Sequence, residues 1–506
     1  RLDFRSNLNK QSIACSDCQR RCILVNFYPT ILWHANNSCN IIRNFFQTGG
    51  DSIKAIQLTS RLSATGWQLS MKDFFGGPTI AQQAERLSHR SRSYEQGRIT
   101  GPVGLTAIQR WFFDNPTGDI NHFNQSVMLR WSGRVDTGLL QQAVQVLLVQ
   151  HDLLRARYVF GEKEIVQEIV PEAEVLVEVL ETAAGEDARE KIASKANVMQ
   201  SGLSLSEGRL LGVAVLRTAT EDHVLLVIHH LVVDGVSWRI LLEDLQQAYQ
   251  SLEQGLRPKL PAKTASFGLW AAEVARRAGA LREKELSYWR EVVSTSHASR
   301  LQLARHSTVS NVYGDTAVVE TLLSTELTEA LLTTAHRAYG TEINDLLLTA
   351  LSRALQAVYG GQSHSVTLEG HGREEIVDVD ISRTVGWFTS VYPVVLGYED
   401  DSTRHLKKIK EHLRRIPNKG VGFGILRYTE GIEELEDAST ISFNYLGDFQ
   451  AVGSQGASEI LPATATDGGL RAVPAGGRPT GQKSNGEDVQ AGSGRAEVRW
   501  ITEESV

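Results

Sequence analysis

Residues 229–235 of this 506-residue chain read His-His-Leu-Val-Val-Asp-Gly, and their surroundings decide the fold class. The apolar run at 224–228 has the composition of a buried strand, and residues 236–252 have the pattern of a helix. An imidazole at the exit of a strand can be held rigidly and still face a cleft. The sequence therefore predicts a strand, a histidine-bearing turn and a helix in that order.

The two histidines of this turn, His229 and His230, are the first candidates for chemistry. Paired histidines at the end of a strand are more often structural than catalytic. A nearby carboxylate, here Asp234, can fix the tautomer and the charge of an imidazole, which favours a catalytic interpretation. Both interpretations stay open on these residues alone.

Outward from this turn, short β-rich runs alternate with helices from about residue 101 to 449. The run at 365–368 has the composition of a short strand. Residues 344–359 predict a helix that begins at an Asn-Asp cap and ends at Gly360-Gly361. This alternation predicts an α/β or α+β region of the size of an enzyme domain.

A second candidate for chemistry lies where the run at 365–368 ends. Residues 368–374 read Leu-Glu-Gly-His-Gly-Arg-Glu, and the two glycines let backbone and substrate approach closely. Glu369 is therefore a candidate acid or base. An exposed acidic loop without a catalytic role has the same composition, so this interpretation also stays open.

The first 90 residues have a different pattern. Residues 45–52 end in Gly-Gly-Asp-Ser, and the apolar positions that follow in 53–62 have helical spacing. They predict a small helical unit that ends near Leu87. Ser52 then lies at the start of a helix, where its hydroxyl is either a plain cap or a modifiable group beside the positive helix end that favours phosphate.

Three segments lack the pattern of a folded core. Residues 1–40 show neither helical nor strand periodicity and predict an irregular leader. Residues 89–100 are polar and charged, as in a linker between domains. Beyond residue 450 the chain is rich in Gly, Ala, Ser and Pro, which predicts a disordered tail over 451–506 because so little apolar surface cannot offset the ordering entropy.

The bulk composition narrows the class of partner. A formal net charge of −7, with 42% hydrophobic and 22% charged residues, is that of an ordinary globular chain. Nucleic acid or an anionic membrane would have to bind against that charge, so neither is an expected partner. The longest apolar stretch, at 224–233, is too short to span a bilayer, and the first residues show no signal-peptide pattern, so we expect a cytoplasmic protein.

The cysteines are confined to the first 39 residues, at Cys15, Cys18, Cys22 and Cys39. A disulfide framework is therefore not expected to hold the fold together. The close spacing of three thiols fits part of a zinc site, but no second Cys-x-x-Cys pair follows. Reduced thiols in an irregular segment are the favoured interpretation, and no metal is expected.

Taken together, these runs resemble two neighbouring modules of nonribosomal peptide synthetases. Residues 44–62 resemble the attachment segment of peptidyl carrier domains, and the region from 101 to 449 resembles epimerization domains of the condensation superfamily. The 369–374 loop and the Phe-Asn-Tyr-Leu-Gly run at 443–447 distinguish epimerization domains from condensation domains in that family. Seven motifs occur in family order, at 105–112, 229–238, 343–347, 369–374, 383–389, 417–424 and 443–447.

The resemblance implies a fold. A small α-helical carrier bundle at 41–88 is followed by a linker at 89–100 and by a two-lobed chloramphenicol-acetyltransferase-like α/β domain at 101–450. The lobes span about 101–280 and 281–450, and the active site lies in a tunnel between them. Carrier domains usually open with an amphipathic helix, which the pattern of residues 1–40 does not predict, and epimerization domains usually stay ordered beyond the Phe-Asn-Tyr motif.

The resemblance also implies a cofactor and partners. Ser52 would carry 4′-phosphopantetheine, attached by a phosphopantetheinyl transferase. The substrate would be an aminoacyl or peptidyl thioester on that arm. An upstream adenylation domain and a downstream condensation domain would be the neighbouring partners.

The implied reaction inverts an α-carbon beside a thioester. That α-proton is weakly acidic, so its removal needs a base at the carbon, stabilisation of the enolate oxygen and a proton delivered to the opposite face. We expect Glu369 and His230 on the two sides of the α-carbon, with the order of acid and base left open. Four residues are expected to support the site, the first two structurally and the last two in the pocket or at the enolate: His229, Asp234, Asn444 and Tyr445.

Two other functions remain open at this point. A condensation domain, which forms peptide bonds, would use the 229–235 run equally well. An inactive remnant that only docks partners is the alternative of a different class.

Overall fold

The computed structural model describes residues 16–28, 42, 44–89, 93–115, 118–131, 133–162, 164–181, 188–218, 222–301, 319–447, 461–462 and 498–502. Its helices are α1 (Ser16–Phe27), α2 (Ser52–Ala64), α3 (Met71–Gly76), α4 (Ile80–Arg86), α5 (Ala107–Asp114), α6 (Thr137–Gln150), α7 (Ala188–Ser201), α8 (Gly235–Glu253), α9 (Phe267–Ala298), α10 (Thr325–Leu332), α11 (Ile343–Tyr359), α12 (Ser402–Arg415) and α13 (Val421–Gly424). Its strands are β1 (Trp67–Gln68), β2 (Ser88–His89), β3 (Gly101–Val103), β4 (Asn124–Trp131), β5 (Ala156–Phe160), β6 (Ile165–Ile169), β7 (Val177–Glu181), β8 (Leu211–Arg217), β9 (Asp222–His229), β10 (Ser363–Gly370), β11 (Ser390–Gly397), β12 (Ile441–Tyr445), β13 (Leu461–Pro462) and β14 (Val498–Thr502).

Helices α1 to α4 pack into a small bundle at the start of the chain. Helix α2 begins after Asp51, whose carboxylate accepts a hydrogen bond from the main-chain N–H of Lys54 at 2.8 Å. Such a cap satisfies one of the free N–H groups at a helix start. The bundle core contains Leu24 of α1 and Phe74 of α3, and Phe45 packs edge-on against Phe74.

Helix α1 corrects the prediction of an irregular leader at 1–40. Its large apolar residues, Ile23 to Val25 and Phe27, are confined to its last turns and follow a polar first half, so the sequence shows no sustained helical period. The helix is stabilised by packing against α4, and Leu24 is fully buried there. A carrier bundle therefore does have a helix before α2. The remaining residues of the 1–40 segment lie outside the described part of the chain.

The first half of the larger domain contains a five-stranded sheet in the order β13-β4-β9-β8-β7. Strand β9 pairs antiparallel with β4, where Asn124 lies opposite His229. Strand β9 is almost wholly buried, and α8 follows it after one turn and packs against α6. The predicted order of strand, turn and helix around 229–235 is confirmed. A separate sheet in this half has the order β3-β6-β5.

The second half contains a four-stranded sheet in the order β11-β10-β12-β14. Strand β10 runs antiparallel to β11 and parallel to β12, where Leu368 lies opposite Phe443. Helix α11 confirms the helix predicted at 344–359, but its cap is two residues earlier than expected. Glu342 is the capping residue and closes a capping box with Asp345.

Helix α9 runs through both halves. Its first part buries Trp270 in the core of the first half, and its last part buries Trp289 in a second core. The change from one core to the other falls between Leu281 and Trp289. A small helical bundle followed by a two-lobed α/β domain, as predicted, is therefore the observed fold class.

The polar segment before the larger domain lies on its surface. Gln96 exchanges hydrogen bonds with the main chain of Lys263 at 2.9 and 3.1 Å. The Tyr94 hydroxyl accepts a hydrogen bond from the main-chain N–H of Asp380 at 2.8 Å. Within the linker predicted at 89–100, residues 93–100 are therefore attached to the domain that follows.

The tail predicted to be disordered includes two short strands. Strand β13 pairs with β4, and β14 pairs with β12 opposite Phe443 and its neighbours. The prediction of disorder over 451–506 therefore does not apply to 461–462 and 498–502, and the rest of that tail lies outside the described residues.

The described residues lack both a membrane-spanning helix and a cluster of metal-ligating side chains. No helix among them is long and apolar enough to cross a membrane. The same residues contain no cluster of three or more His, Cys, Asp or Glu side chains that could hold a metal ion. Cys22 lies in α1 as a free thiol, whereas Cys15 and Cys39 of the predicted thiol cluster fall outside the described part.

Candidate active site

His230 lies in the turn between β9 and α8, with its imidazole packed against two aromatic rings that also touch each other. The ring of Phe123 stacks on it with centroids 5.0 Å apart, and the centroid of Trp387 is 4.6 Å away. Its Nδ1 is 2.8 Å from the carbonyl oxygen of Val233, and its Nε2 is 2.8 Å from Nε2 of Gln125. Burial lowers the pKa of His230 despite the opposing main-chain hydrogen bonds, so the ring is neutral at pH 7.

His229, the other histidine of the pair, is fully buried. Its Nε2 donates to the carbonyl oxygen of Ile120 at 2.8 Å, and its Nδ1 accepts from the main-chain N–H of Leu231 at 3.2 Å. Burial lowers the pKa of His229 to about 4. Both ring nitrogens are thus bonded to the main chain. These are the contacts of a supporting residue, and that role stays a prediction.

Asp234 joins the turn at 229–235 to the loop at 368–374. It caps α8 by accepting from the main-chain N–H of Ser237 at 2.7 Å, and it accepts from the main-chain N–H of Phe388 at 3.2 Å. Its Oδ1 is also 3.1 Å from Nη2 of Arg373, a guanidinium that is only 4% exposed. Arg373 was not among the residues predicted to form the site. A charged residue inside a glycine-spaced loop was the available signal.

The loop at 368–374 approaches the main chain of Phe388 closely at Gly372. Its φ of +64° is in the left-handed region, and an added Cβ would overlap the carbonyl oxygen of Phe388. The preceding residue, Trp387, touches His230. The segment 387–388 therefore lies between the turn that bears His230 and the loop that follows Glu369.

Glu369 lies near the end of β10 beside Asn444 of β12. The pairing of Leu368 with Phe443 buries both side chains in the second core, which places Glu369 and Asn444 together on the other face. Asn444 Nδ2 donates to Glu369 Oε2 at 2.6 Å.

The surroundings of the Glu369 carboxyl change its acidity. Burial raises the pKa of Glu369 to about 7, against the lowering effect of the Asn444 hydrogen bond. The side chain nevertheless stays accessible to solvent. A carboxyl that is surrounded by protein atoms and still reached by water is expected in a narrow, open cleft.

Tyr445 follows Asn444 in β12 and turns to the opposite face, because successive side chains alternate along a strand. Its ring is partly buried against the second core, which includes Ile441 and Phe443. The structure therefore brings Asn444, rather than Tyr445, to the side of Glu369. A contact between Tyr445 and the substrate stays a prediction.

The remainder of the 368–374 loop is held by local contacts. The main-chain N–H of Arg373 donates to Nδ1 of His371 at 3.0 Å, and Nε2 of His371 is 3.3 Å from a carboxylate oxygen of Glu374. Glu374 in turn is 3.6 Å from Nζ of Lys419. Burial, with the positive charges of Lys419 and Arg373, lowers the pKa of His371 to about 3. This imidazole is therefore neutral and engaged in holding the loop.

Ser52 is the first residue of α2 and is half-buried. The next residue, Ile53, packs on Gly447, where an added Cβ would lie 2.9 Å from its Cδ1. Farther along α2, Nη2 of Arg61 is 2.9 Å from Oε1 of Glu243 on α8. The bundle thus contacts the larger domain next to the strand that carries Asn444, only three residues before Gly447.

Two groups described above can each exchange a proton: the neutral imidazole of His230, packed against aromatic rings, and the Glu369 carboxyl, whose pKa is about 7. Such groups are typical of general acid–base catalysis.

The sequence comparison with protein families agrees with this organisation. Residues 100–465 match the Condensation domain family. This chain belongs to the condensation-domain family. Residues 36–87 match the phosphopantetheine attachment site family, so a carrier domain precedes the condensation-family domain. The cofactor of such a carrier is covalently attached 4′-phosphopantetheine, as the resemblance implied.

The relatives of this condensation-family chain are peptide synthases. It is 44% identical over 428 residues to surfactin synthase subunit 1 of Bacillus subtilis (strain 168), covering 82% of this chain and 12% of that protein. It is 42% identical over 433 residues to tyrocidine synthase 2 of Brevibacillus parabrevis, covering 83% of this chain and 12% of that protein. The chain therefore spans a small part of the length of the relatives it matches.

Solved structures of the condensation family have the same fold. The crystal structure of the epimerization domain from the third module of tyrocidine synthetase B matches with a TM-score of 0.66 and 39% identity, over 70% of this chain and 82% of that one. The first condensation domain of the calcium-dependent antibiotic synthetase, in complex with a substrate analogue, matches with a TM-score of 0.54 and 18% identity, over 69% of this chain and 80% of that one. The second similarity concerns the fold alone.

Proposed function

We propose that this chain epimerises the α-carbon of an aminoacyl or peptidyl group held as a thioester on Ser52. The observation that carries the proposal is the Glu369–Asn444 pair, in which the Glu369 carboxyl has a pKa of about 7. The loop that follows Glu369 touches Phe388 at Gly372, and the adjoining Trp387 touches the neutral imidazole of His230. A reaction that takes a proton from one face of a carbon and returns it to the other needs two such groups.

The surroundings of Ser52 fit a phosphate ester. Its side chain is half-buried rather than enclosed, and it begins the 13-residue helix α2. The N–H groups at the start of a helix and the positive end of its dipole favour phosphate. When bound, 4′-phosphopantetheine supplies the thioester that acidifies the α-carbon. The contact between Ile53 and Gly447 would direct a substrate attached at Ser52 toward Asn444.

In the proposed step, the bond between the α-carbon and its hydrogen breaks, and its electron pair moves to the thioester carbonyl oxygen. The proton goes to one group of the pair, and the other group returns a proton to the opposite face. Before the reaction, the two groups together must therefore hold one proton, on the group that will donate it. Because the pKa of His230 is lowered and that of Glu369 is about 7, this proton resides on Glu369 in the resting site. His230 is then the first acceptor and Glu369 the first donor.

The residues around the pair hold it in place. The Asp234–Arg373 ion pair fixes the loop after Glu369 against the turn after His230. The Phe123 ring stacks on one face of the His230 imidazole and Trp387 packs beside both rings, which restricts the orientation of the imidazole.

Peptide-bond formation is the second candidate function. It is favoured by the turn at 229–235, which condensation domains of the family share, and by the similarity in fold to a condensation domain. Amide formation has no use for a second proton carrier at Glu369, so the contacts of Glu369 favour epimerization.

The experiment loads the chain with an L-aminoacyl-pantetheine by means of a phosphopantetheinyl transferase and incubates it in deuterated water. Release and analysis of the amino acid should show the D form with deuterium at the α-carbon. The Ser52→Ala variant is the matched control and should not load. Loaded protein that yields only the protiated L form would contradict epimerization. Dipeptide on a second, acceptor-loaded carrier would instead indicate condensation, and neither product would indicate a docking module.

A further inference from the structure

Gln125 lies within hydrogen-bonding distance of two residues that are distant from it in sequence, Trp238 and His230. It lies in β4, where its pairing partner is Ile228 of β9. Its amide Oε1 accepts a hydrogen bond from the indole Nε1 of Trp238 at 2.8 Å. Its amide Nε2 is 2.8 Å from Nε2 of His230.

These contacts determine the orientation of the Gln125 amide. The indole N–H of Trp238 can only donate, so the amide oxygen must face it. The amide NH2 group then faces His230 and donates to Nε2, which must be unprotonated. The proton of the neutral ring is therefore on Nδ1, and Nδ1 faces the carbonyl oxygen of Val233, which can only accept. Both neighbours of His230 specify the same tautomer.

The same contacts oppose protonation of His230. An imidazolium would direct an N–H at Nε2 toward the NH2 group of Gln125, so two donors would face each other. Rotation of the amide would not remove the conflict, because its NH2 group would then face the N–H of Trp238. Of the titratable groups near His230, Asp234 opposes the lowering of its pKa, and neutral His229 adds no charge. The ring and amide groups that contact His230 are uncharged, namely those of Phe123, Gln125 and Trp387, as is Trp238, which contacts Gln125.

We propose that Gln125 is a positioning residue that holds His230 as the neutral Nδ1–H tautomer, with Nε2 as the nitrogen that receives the α-proton. The inference rests on the proposed epimerization and adds the residue that sets the protonation state of its acceptor. A histidine that already carried its proton on Nε2 could not accept one there. The α-proton can reach Nε2 only as the Gln125 amide withdraws from it: the new N–H bond then takes the place of the Gln125 hydrogen bond, and the electron pair of the broken C–H bond moves to the thioester carbonyl oxygen.

Nitrogen NMR of the complete, unloaded chain tests the tautomer without any reaction. With 15N-labelled histidine, the signals of His230 are assigned by their loss in His230→Gln. In the unsubstituted chain, Nε2 should have the shift of an unprotonated nitrogen. In Gln125→Glu, a carboxylate replaces the amide donor while an acceptor for Trp238 is kept, so Nε2 should become protonated. The pKa of the ring should also rise by about one to three units.

The matched control for this substitution is Gln142→Glu, the same change on the exposed face of α6, which should leave the His230 signals unaltered. Gln125→Met removes both hydrogen bonds without adding a charge, and it should shift the pKa of His230 less than Gln125→Glu does. An Nε2 that is protonated in the unsubstituted chain, or that is unchanged in Gln125→Glu, would overturn the inference.

Solvent deuterium exchange on the loaded chain relates the tautomer to the reaction. For Gln125→Glu, the pH below which exchange declines should move upward by about one unit or more, in step with the His230 signals. If the unsubstituted chain shows no exchange, the proposed epimerization fails although the NMR still reports the tautomer. If exchange occurs and its pH profile is the same in Gln125→Glu, the positioning role of Gln125 is wrong.

Discussion

Two carboxyl groups in neighbouring loops, Asp234 and Glu369, have opposite surroundings. Asp234 is 4% exposed and is bonded to a buried guanidinium and to main-chain N–H groups, so its negative charge is compensated. Glu369 accepts a hydrogen bond from the neutral amide of Asn444, and burial raises its pKa to about 7. A compensated carboxylate supports a fold, whereas an uncompensated carboxyl that water can reach can exchange its proton.

Substitution of Glu369 tests the reactive member of this comparison and has the largest expected effect. Glu369→Gln keeps the size of the side chain and a partner for Asn444 but removes the exchangeable proton. We expect α-proton exchange on the loaded chain to fall by about 10²–10⁴-fold, the range for loss of a general acid or base. His230→Ala should have an effect of the same order. The measurement is deuterium uptake by mass spectrometry.

The matched control is Glu399→Gln, at a surface ion pair with Lys408 that lies beyond β11. It should leave exchange within about twofold of the unsubstituted chain, because surface ion pairs contribute little. Normal exchange in Glu369→Gln or in His230→Ala would remove that residue from the mechanism.

Substitution of Arg373 tests the supporting member. Arg373→Met leaves the charge of Asp234 buried without its guanidinium, which typically costs about 3–5 kcal/mol of the free energy of unfolding. Urea unfolding followed by tryptophan fluorescence measures the loss. Adding Asp234→Asn to Arg373→Met should recover part of it, because the buried charge is then removed as well.

The control for this loss is Arg276→Met, in an exposed pair with Glu273 on α9, which should change the free energy of unfolding by less than about 0.5 kcal/mol. Equal losses in Arg276→Met and Arg373→Met would show that the Asp234–Arg373 pair has no special role in the fold.

The pH dependence of the reaction tests the raised pKa of Glu369. The donor form of Glu369 is lost as pH rises through its pKa, so exchange should fall above a pH of about 7. Asn444→Ala removes the hydrogen bond that lowers this pKa, so the decline should move to higher pH, by about one unit or less for one neutral hydrogen bond. A decline at lower pH in Asn444→Ala, or a rate that rises through pH 7 in the unsubstituted chain, would contradict this assignment.

The smallest expected effect is on stability. The pKa of Glu369 is raised in the folded state, so the unfolded chain ionises more readily. The free energy of unfolding should therefore fall as pH rises toward about 7, and at pH 8 the whole of that loss is present. Glu369→Gln should therefore be more stable than the unsubstituted chain at pH 8, by up to about 1 kcal/mol after allowance for solvent access. At pH 4, where the carboxyl is protonated when folded, the difference should be small. Thermal unfolding at both values measures it, and a less stable Gln variant at pH 8 would be inconsistent with the raised pKa.

The elements that could be predicted from the sequence have local patterns. The strand, turn and helix around 229–235 follow from consecutive apolar residues, an Asp cap and a helical period within about thirty residues. Helix α11 has the same kind of local signal. The candidate residues His230 and Glu369 were found because each follows such an element in a distinctive run.

The elements that could not be predicted depend on contacts between distant residues. The ion pair of Asp234 with Arg373 joins positions 139 apart, and Gln125 reaches His230 across two strands of a sheet. Helix α1 packs on α4 through apolar residues confined to its last turns, too few to give a sustained helical period in the sequence. A single sequence carries no signal for such pairings before the fold brings them together.

The distribution of label between the two stereoisomers tests the central claim, that two groups act from opposite sides of the α-carbon. The chain is loaded with an L-aminoacyl group in deuterated water, stopped after a small fraction of conversion, and both stereoisomers are analysed separately by mass. With two groups, the proton added from the second side comes from solvent, so we expect deuterium in the D form while the remaining L form stays protiated. Equal deuterium in both forms from the earliest times would contradict the account, because a single group that removes and returns protons would label both alike.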